Sequence, residues 1–290
     1  MREAPDGTYP DGIDWVLWSG TLGLSSPLEH RIDAAVAGGF HRMSISPLDV
    51  ALAEEAGTKP QDLGGRLRDA GLGVVLDGFM NWHEGEPIPA ARSVAFTADE
   101  VLRMCEALPA EALTVFSRPT CDLPLAEVAA SFGRLCDRAA DLGTRVQLEF
   151  LAMMAISDLP GAAAVTAAAD RANGGLVLDT WHFFRGNPDY AALEALPGGR
   201  IFTVQVSDGG AEPRGSVAQD TFHRLLPGDG CFDLPRLFRA LDRIGALGSL
   251  GPEVISPATA AMAPNEAAQL ARDRVQALIN EMSGTATEVE

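Results

Sequence analysis

Positive charge is scarce in this sequence: 22 lysines and arginines stand against 40 aspartates and glutamates, for a formal charge of −18. No stretch gathers basic residues densely enough to neutralise a phosphate backbone, so neither nucleic acid nor an anionic membrane surface is expected as a partner. Long apolar runs are missing as well, since none reaches the roughly 18 residues needed to span a bilayer. The first 14 residues are polar and rich in proline and glycine, without the basic start and apolar stretch of a secretory leader. The expectation is a cytoplasmic protein. Cysteine is sparse: Cys105, Cys121, Cys136 and Cys231 form no CxxC pair, which argues for reduced, structural thiols over a zinc knuckle or a disulfide framework. Nucleotide-binding loops are absent too. No GxGxxG follows the first predicted strand, and the glycine-rich segment 227–233, PGDGCFD, lacks the P-loop lysine.

What remains is a chain of 290 residues, 47% of them hydrophobic, long enough to bury a large core as one domain. Short apolar runs alternate with longer amphipathic ones. The pattern predicts strands over 16–22, 41–46, 73–79, 112–117, 145–150, 175–180, 200–207 and 251–255. Helices are predicted over 27–37, 59–70, 98–108, 123–142, 159–173, 188–196, 234–244 and 265–282, several closing on a glycine. Eight strand–helix repeats in about 250 residues fit an α/β fold of the closed (β/α)8 TIM-barrel type rather than an open doubly wound sheet. A single barrel over 15–282 is expected, between an N-terminal extension at 1–14 and a flexible acidic tail at 283–290.

In such a barrel the C-terminal strand ends converge on one mouth, where residues distant in sequence can meet. Strand five carries Glu149, strand six ends on Asp179, strand seven carries Gln205 and strand eight carries Glu253. Carboxylates brought that close repel one another and take up protons unless a cation compensates. A divalent ion resolves the conflict, and an all-oxygen set with an amide in place of an imidazole favours Mn²⁺ or Mg²⁺, with Co²⁺ or Zn²⁺ as substitutes. His182, three residues beyond Asp179, is placed in an exposed loop from which it can bond a substrate oxygen or shuttle a proton. Taken singly, each of these residues has a plainer role: rim glutamate, helix cap, core amide, packed histidine. The shared strand-end position is what favours the metal reading. Trp18, His83, Arg118 and Arg214 are candidate substrate contacts. Around them Phe79, Trp82, Phe116, Met153, Met154, Trp181 and Phe183 either plug the barrel or line a pocket for a substrate less polar than a free sugar.

The segments LEF, LVLDTWHFFR, VQVSDG, RLLPGDG and PEVIS, in this order and spacing, resemble the xylose-isomerase-like superfamily of sugar phosphate isomerases and epimerases. The resemblance runs from about Trp15 to Met282 and implies metal ligation by Glu149, Asp179, Gln205 and Glu253. It further implies substrate contact by His182 and Arg214, and proton exchange by Glu149 and Glu253 on opposite faces of a ketone through an enediolate. Where most members carry histidine this chain has Gln205, as some dehydratases do. The branch of three-zinc endonucleases needs more histidines than the five here. The expected activity is an isomerase or epimerase acting on a sugar-like or cyclic polyol ketone. A dehydratase or lyase of the 3-dehydroshikimate or inosose kind is the alternative, disfavoured because the base histidine of dehydroshikimate dehydratases is replaced by Leu151. Two further alternatives are a metal-free binding protein and a supporting subunit of a larger assembly. A small-molecule substrate is the expected partner, with a homodimer or homotetramer compatible with the acidic surface.

Overall fold

Residues along each strand face alternately the helices and the barrel axis, and the sequence follows that period. The structure, a computed structural model, describes residues 12–23, 25–83 and 95–282. Its eight parallel strands are β1 (Asp14–Leu17), β2 (Arg42–Ile45), β3 (Gly73–Phe79), β4 (Ala112–Phe116), β5 (Arg145–Glu149), β6 (Gly174–Asp179), β7 (Ile201–Val206) and β8 (Ser249–Pro252), closed in sequential order by pairing of β1 with β8. Around them run α1 (Leu28–Ala37), α2 (Pro47–Glu55), α3 (Pro60–Asp69), α4 (Ala98–Ala107), α5 (Leu125–Ala140), α6 (Leu159–Ala169), α7 (Thr180–Arg185), α8 (Tyr190–Ala195), α9 (Val217–Asp220), α10 (Leu234–Arg243), α11 (Pro257–Ala260) and α12 (Pro264–Met282). The chain is thus a single (β/α)8 barrel. Of the extension expected at 1–14, residues 1–11 lie outside the described residues and Asp14 already belongs to β1; the expected tail at 283–290 also lies outside them.

Outward-facing Leu17, Met43, Leu76, Leu113, Leu148 and Leu178 join the apolar layer between strands and helices. The inner positions differ: Val16, Trp18, Val75 and Ala112 form only a small separate cluster. Polar side chains share the interior with them. Gln147 donates to the Thr114 hydroxyl at 2.9 Å, and the Thr203 hydroxyl donates to Gln147 at 3.2 Å, spanning the barrel from β4 to β7. At the β8–β1 seam a side chain on Gly251 would collide with the Val16 carbonyl, so only glycine allows closure there.

Two strands differ from expectation. The first ends at Leu17, because the chain turns at once into a 3₁₀ segment, Ser19–Leu22, held by Thr21 N–H on the Trp18 carbonyl at 3.0 Å. The last begins at Ser249, where it pairs with Asp14, and ends on Pro252, whose successor Glu253 still donates its N–H to Val206 at 3.0 Å. Helices α2, α7, α9 and α11 were not anticipated. Helix α2 is started by a reciprocal capping box between Ser46 and Asp49. All four cysteines are free, and burial pushes the Cys105 and Cys136 thiols up to about 12. Among the described residues no helix is long and apolar enough to cross a membrane.

Candidate metal and substrate site

Strand register places the acids. Asp179 of β6 lies opposite Gln205 of β7, and Gln205 opposite Gly251 of β8, with Glu253 two residues further on. Glu149 lies opposite Val177, two residues short of Asp179, and the tilt of strands in a closed barrel brings the two to one layer. Ligand atoms of Glu149, Asp179 and His182 all lie within 4.8 Å of one another. The Gln205 amide end directed at the acids is 2.9 Å from Glu149 Oε1 and 3.3 Å from Asp179 Oδ2. With nitrogen there, it donates to both carboxylates. With oxygen there, the amide would join the buried acids as a donor set of the kind that suits a hard divalent cation.

Asp179 does two things at once. Its Oδ1 caps α7 by accepting from Trp181 N–H at 2.6 Å and His182 N–H at 3.2 Å, while Oδ2 faces the mouth. The capped turn buries His182 to 3% exposure, so the histidine sits in a buried helix and not in the exposed loop expected. Its Nδ1 accepts the Ala152 N–H at 3.2 Å, and its Nε2 lies 3.3 Å from Arg224 Nη2, so donors approach both nitrogens of the neutral ring. Burial, with Arg224 nearby and against the pull of Asp179, holds the His182 pKa down to about 3.

Arg224 is the residue that strand reasoning missed. Fully buried, it donates through Nη1 to Asp179 Oδ2 at 2.7 Å and to Glu253 Oε2 at 2.9 Å, and its Nη2 is 3.3 Å from His182 Nε2. The sequence signal was present in RLLPGDG, which begins with this arginine. Arg214, proposed instead, is exposed and bonds only through its backbone N–H, to Asp220 at 2.8 Å. Burial would raise the Asp179 pKa, yet Arg224 and His182 outweigh it and hold the carboxyl below its ordinary value. Glu149 is raised well above the ordinary range by burial and then by Glu253 and Asp179. Glu253 is raised by burial despite Arg224. Asp77 on β3, not anticipated either, is pushed up to about 7 by burial although Thr114 bonds it.

Glu149, His182, Arg224 and Glu253 line a cavity of about 510 Å³ that also receives Ser44, Ser46, Asp49 and Asp77 together with Phe116, Leu151, Met153 and Met154, while Asp179 and Gln205 lie buried beneath it. Trp18 lies inside the barrel, and His83 stacks on Trp82 with ring centroids 3.8 Å apart. Neither Trp18, His83 nor Arg118 is part of the cavity wall. His83 is lowered to about 4 by burial and then by Arg118. Of the apolar candidates, Phe116, Met153 and Met154 reach the cavity, whereas Phe79, Trp82, Trp181 and Phe183 pack in the core.

The loop that delivers Arg224 is tied down by Asp208. That buried carboxylate accepts from the N–H groups of Gly209 and Phe232 at 2.8 and 3.0 Å, and of Gly228 and Gly230 at 3.0 and 3.1 Å. Gly230 comes so close that a Cβ would overlap the carboxylate, which explains glycine in PGDG. Asp208 and Leu225 also exchange backbone bonds of 2.9 Å, closing the neck of the excursion beside Arg224.

Fold and site together define a closed (β/α)8 barrel with acids at its C-terminal mouth. The chain belongs to the xylose isomerase-like TIM barrel family, whose sequence pattern matches residues 32–280. It is 28% identical over 239 residues to a 3-dehydroshikimate dehydratase of Pseudomonas aeruginosa, covering 81% of this chain and 37% of that protein. It is 29% identical over 140 residues to an inosose isomerase of Bacillus subtilis, covering 48% of this chain and 50% of the relative. The chain therefore spans half or less of the length of these curated relatives. Among solved structures, the IolI protein with a bound zinc atom superimposes with a TM-score of 0.82 at 19% identity, covering 93% of this chain and 99% of that one. An L-ribulose 3-epimerase does so with a TM-score of 0.67 at 18% identity, over 95% and 99%.

Proposed function

We propose that this chain is a divalent-metal-dependent isomerase or epimerase acting on a sugar-like or cyclic polyol ketone, by moving a proton on the carbon next to the carbonyl. The observation that carries this reading is the pair Glu149 and Glu253. They project from β5 and from just past β8, with Asp179 and Gln205 on the two strands between, and both line the cavity, so a ketone seated there can meet a carboxyl from each of two strands. Burial raises the proton affinity of both, which suits groups that must take up a proton and return it near neutral pH. Neutral His182 and Arg224 lie side by side on the cavity wall, where Arg224 supplies fixed positive charge to a substrate oxygen. A divalent cation held by Glu149, Asp179, Gln205 and Glu253, Mn²⁺ or Mg²⁺ for such oxygen donors, would supply Lewis-acid stabilisation of the negative charge developing on that oxygen. An inosose isomerase and an L-ribulose 3-epimerase among the similar proteins support the same direction.

Similarity to a 3-dehydroshikimate dehydratase over 81% of the chain favours a second reading, in which a hydroxyl or alkoxide β to the carbanion leaves. Against it, Leu151 lines the cavity where such a dehydratase would need its base histidine. The two are separated by incubating the Mn²⁺-loaded protein in D₂O with ketoses, inososes, 3-dehydroshikimate and 3-keto-glycosides, followed by mass spectrometry. Deuterium α to the carbonyl with an intact skeleton supports the isomerase; loss of water or alcohol supports the lyase. Ester or phosphate hydrolysis with no exchange on any ketone overturns both.

A further inference from the structure

The lining of the cavity combines two chemically different sets of side chains. On the β2–β3 side Ser44, Ser46, Asp49 and Asp77 offer hydroxyls and carboxylates, and Asp49 is held in place by two bonds from buried Arg31. Opposite chemistry comes from Leu52 of α2, Met153, Met154 and Phe222, which offer a polyol nothing to bond. Leu52 is 46% exposed and Phe222 49% exposed. Only four large hydrophobic residues are that exposed among the described residues, the others being Val36 and Leu125, so two of the four line this one cavity. They come from segments 170 positions apart, and the same cavity receives two methionines, the most adaptable apolar side chains. A volume of about 510 Å³ falls in the range, about 300–1,000 Å³, that encloses ligands larger than one sugar ring.

We infer that the substrate is a polyol ketone bearing an apolar, ring-sized substituent, such as an aryl 3-keto-glycoside. Its hydroxylated ring lies toward Asp77 and the acids, and the substituent lies against Leu52, Met153, Met154 and Phe222. This inference rests on the ketone-directed reading proposed above and names its substrate class. The flat substituent would cover apolar surface that is otherwise wet, and the thioethers of Met153 and Met154 suit the edge of an aromatic ring.

Calorimetric titration with phenyl β-D-glucopyranoside and methyl β-D-glucopyranoside tests this without turnover. The phenyl compound is expected to bind about tenfold more tightly or better. Leu52→Ser and Phe222→Ser, both at half-exposed positions, are each expected to cut that preference to about threefold or less, and Phe222→Leu to keep most of it. Equal affinities, no measurable binding of either compound, or a preference untouched by both serine variants would overturn the substrate class. Failure of proton exchange on every ketone in D₂O would instead fall on the proposed reaction, so the two failures are distinguishable.

Discussion

The guanidinium of Arg224 is bonded to Asp179 at 2.7 Å with both side chains out of contact with water, so the acid cluster carries a built-in cation. Removing one partner of such a buried pair costs about 3–5 kcal/mol. Arg224→Met is therefore expected to lower the melting temperature of EDTA-treated protein, and saturating Mn²⁺ is expected to restore more stability to the variant than to the wild type. Thermal denaturation with and without Mn²⁺ checks this. Identical melting of variant and wild type in EDTA would show that the pair does not hold the acids together.

Stability of the metal-free protein should fall with rising pH above about 6.5. Asp77, at about 7, and Glu149 and Glu253 bind protons more tightly in the folded state than in the unfolded chain. The contribution of Asp77 is present below pH ~4 and lost as the pH rises through about 7, and those of Glu149 and Glu253 are likewise present at low pH and lost as the pH rises through their raised folded-state values. His83 and His182, held at about 4 and about 3, work oppositely, but their contribution is complete once the pH exceeds ~6.5. Among these groups the acids alone set the slope from there upward. Urea midpoints in EDTA at pH 6.5, 7.5 and 8.5 should decline in order, while the stabilisation by Mn²⁺ should grow as ligands lose protons. A rising series would contradict the placement of these acids.

Glu149→Gln and Glu253→Gln are each expected to reduce turnover by about 10²-fold or more, the scale of losing a general base. Circular dichroism should show an unchanged fold. Near-wild-type rates on the substrate identified by proton exchange would remove the altered residue from the proton-transfer pair.

Gln205→His should keep a divalent site and shift its preference toward Zn²⁺ or Co²⁺, because imidazole is the softer donor. Competition titrations of Mn²⁺ against Zn²⁺ on both proteins read this directly. Absence of any divalent binding by the wild type would sink the assignment of Glu149, Asp179, Gln205 and Glu253 as ligands.

The barrel was legible because period-two apolar runs and glycine-terminated helices are local signals, and strand ends follow from them. Glu149, Asp179, Gln205 and Glu253 were legible for the same reason. Arg224 was not, because it reaches the mouth from a loop whose path is fixed by contacts made elsewhere, through Asp208 and the backbone bridge to Leu225. Arg214 lies in the same excursion, and nothing in its own neighbourhood of sequence shows that it faces solvent. Asp77 escaped notice because β3 bulges between Asp77 and Phe79, so simple alternation along the strand does not reveal which way its end turns. Helix α7 was hidden in a run of aromatic residues that has no helical period, and it exists because Asp179 caps it.

The clasp around Asp208 also makes the mouth modular. Everything between Asp208 and Leu225 leaves the barrel and returns at the same point, so residues 209–224 form a cartridge whose ends are already joined. Arg224 occupies the fixed neck, with its N–H on the Ile255 carbonyl at 3.1 Å, whereas Phe222 rides further out. Exchange of the outer part of the cartridge can therefore retarget the rim toward a different substituent, while the strands that carry the acids keep their register.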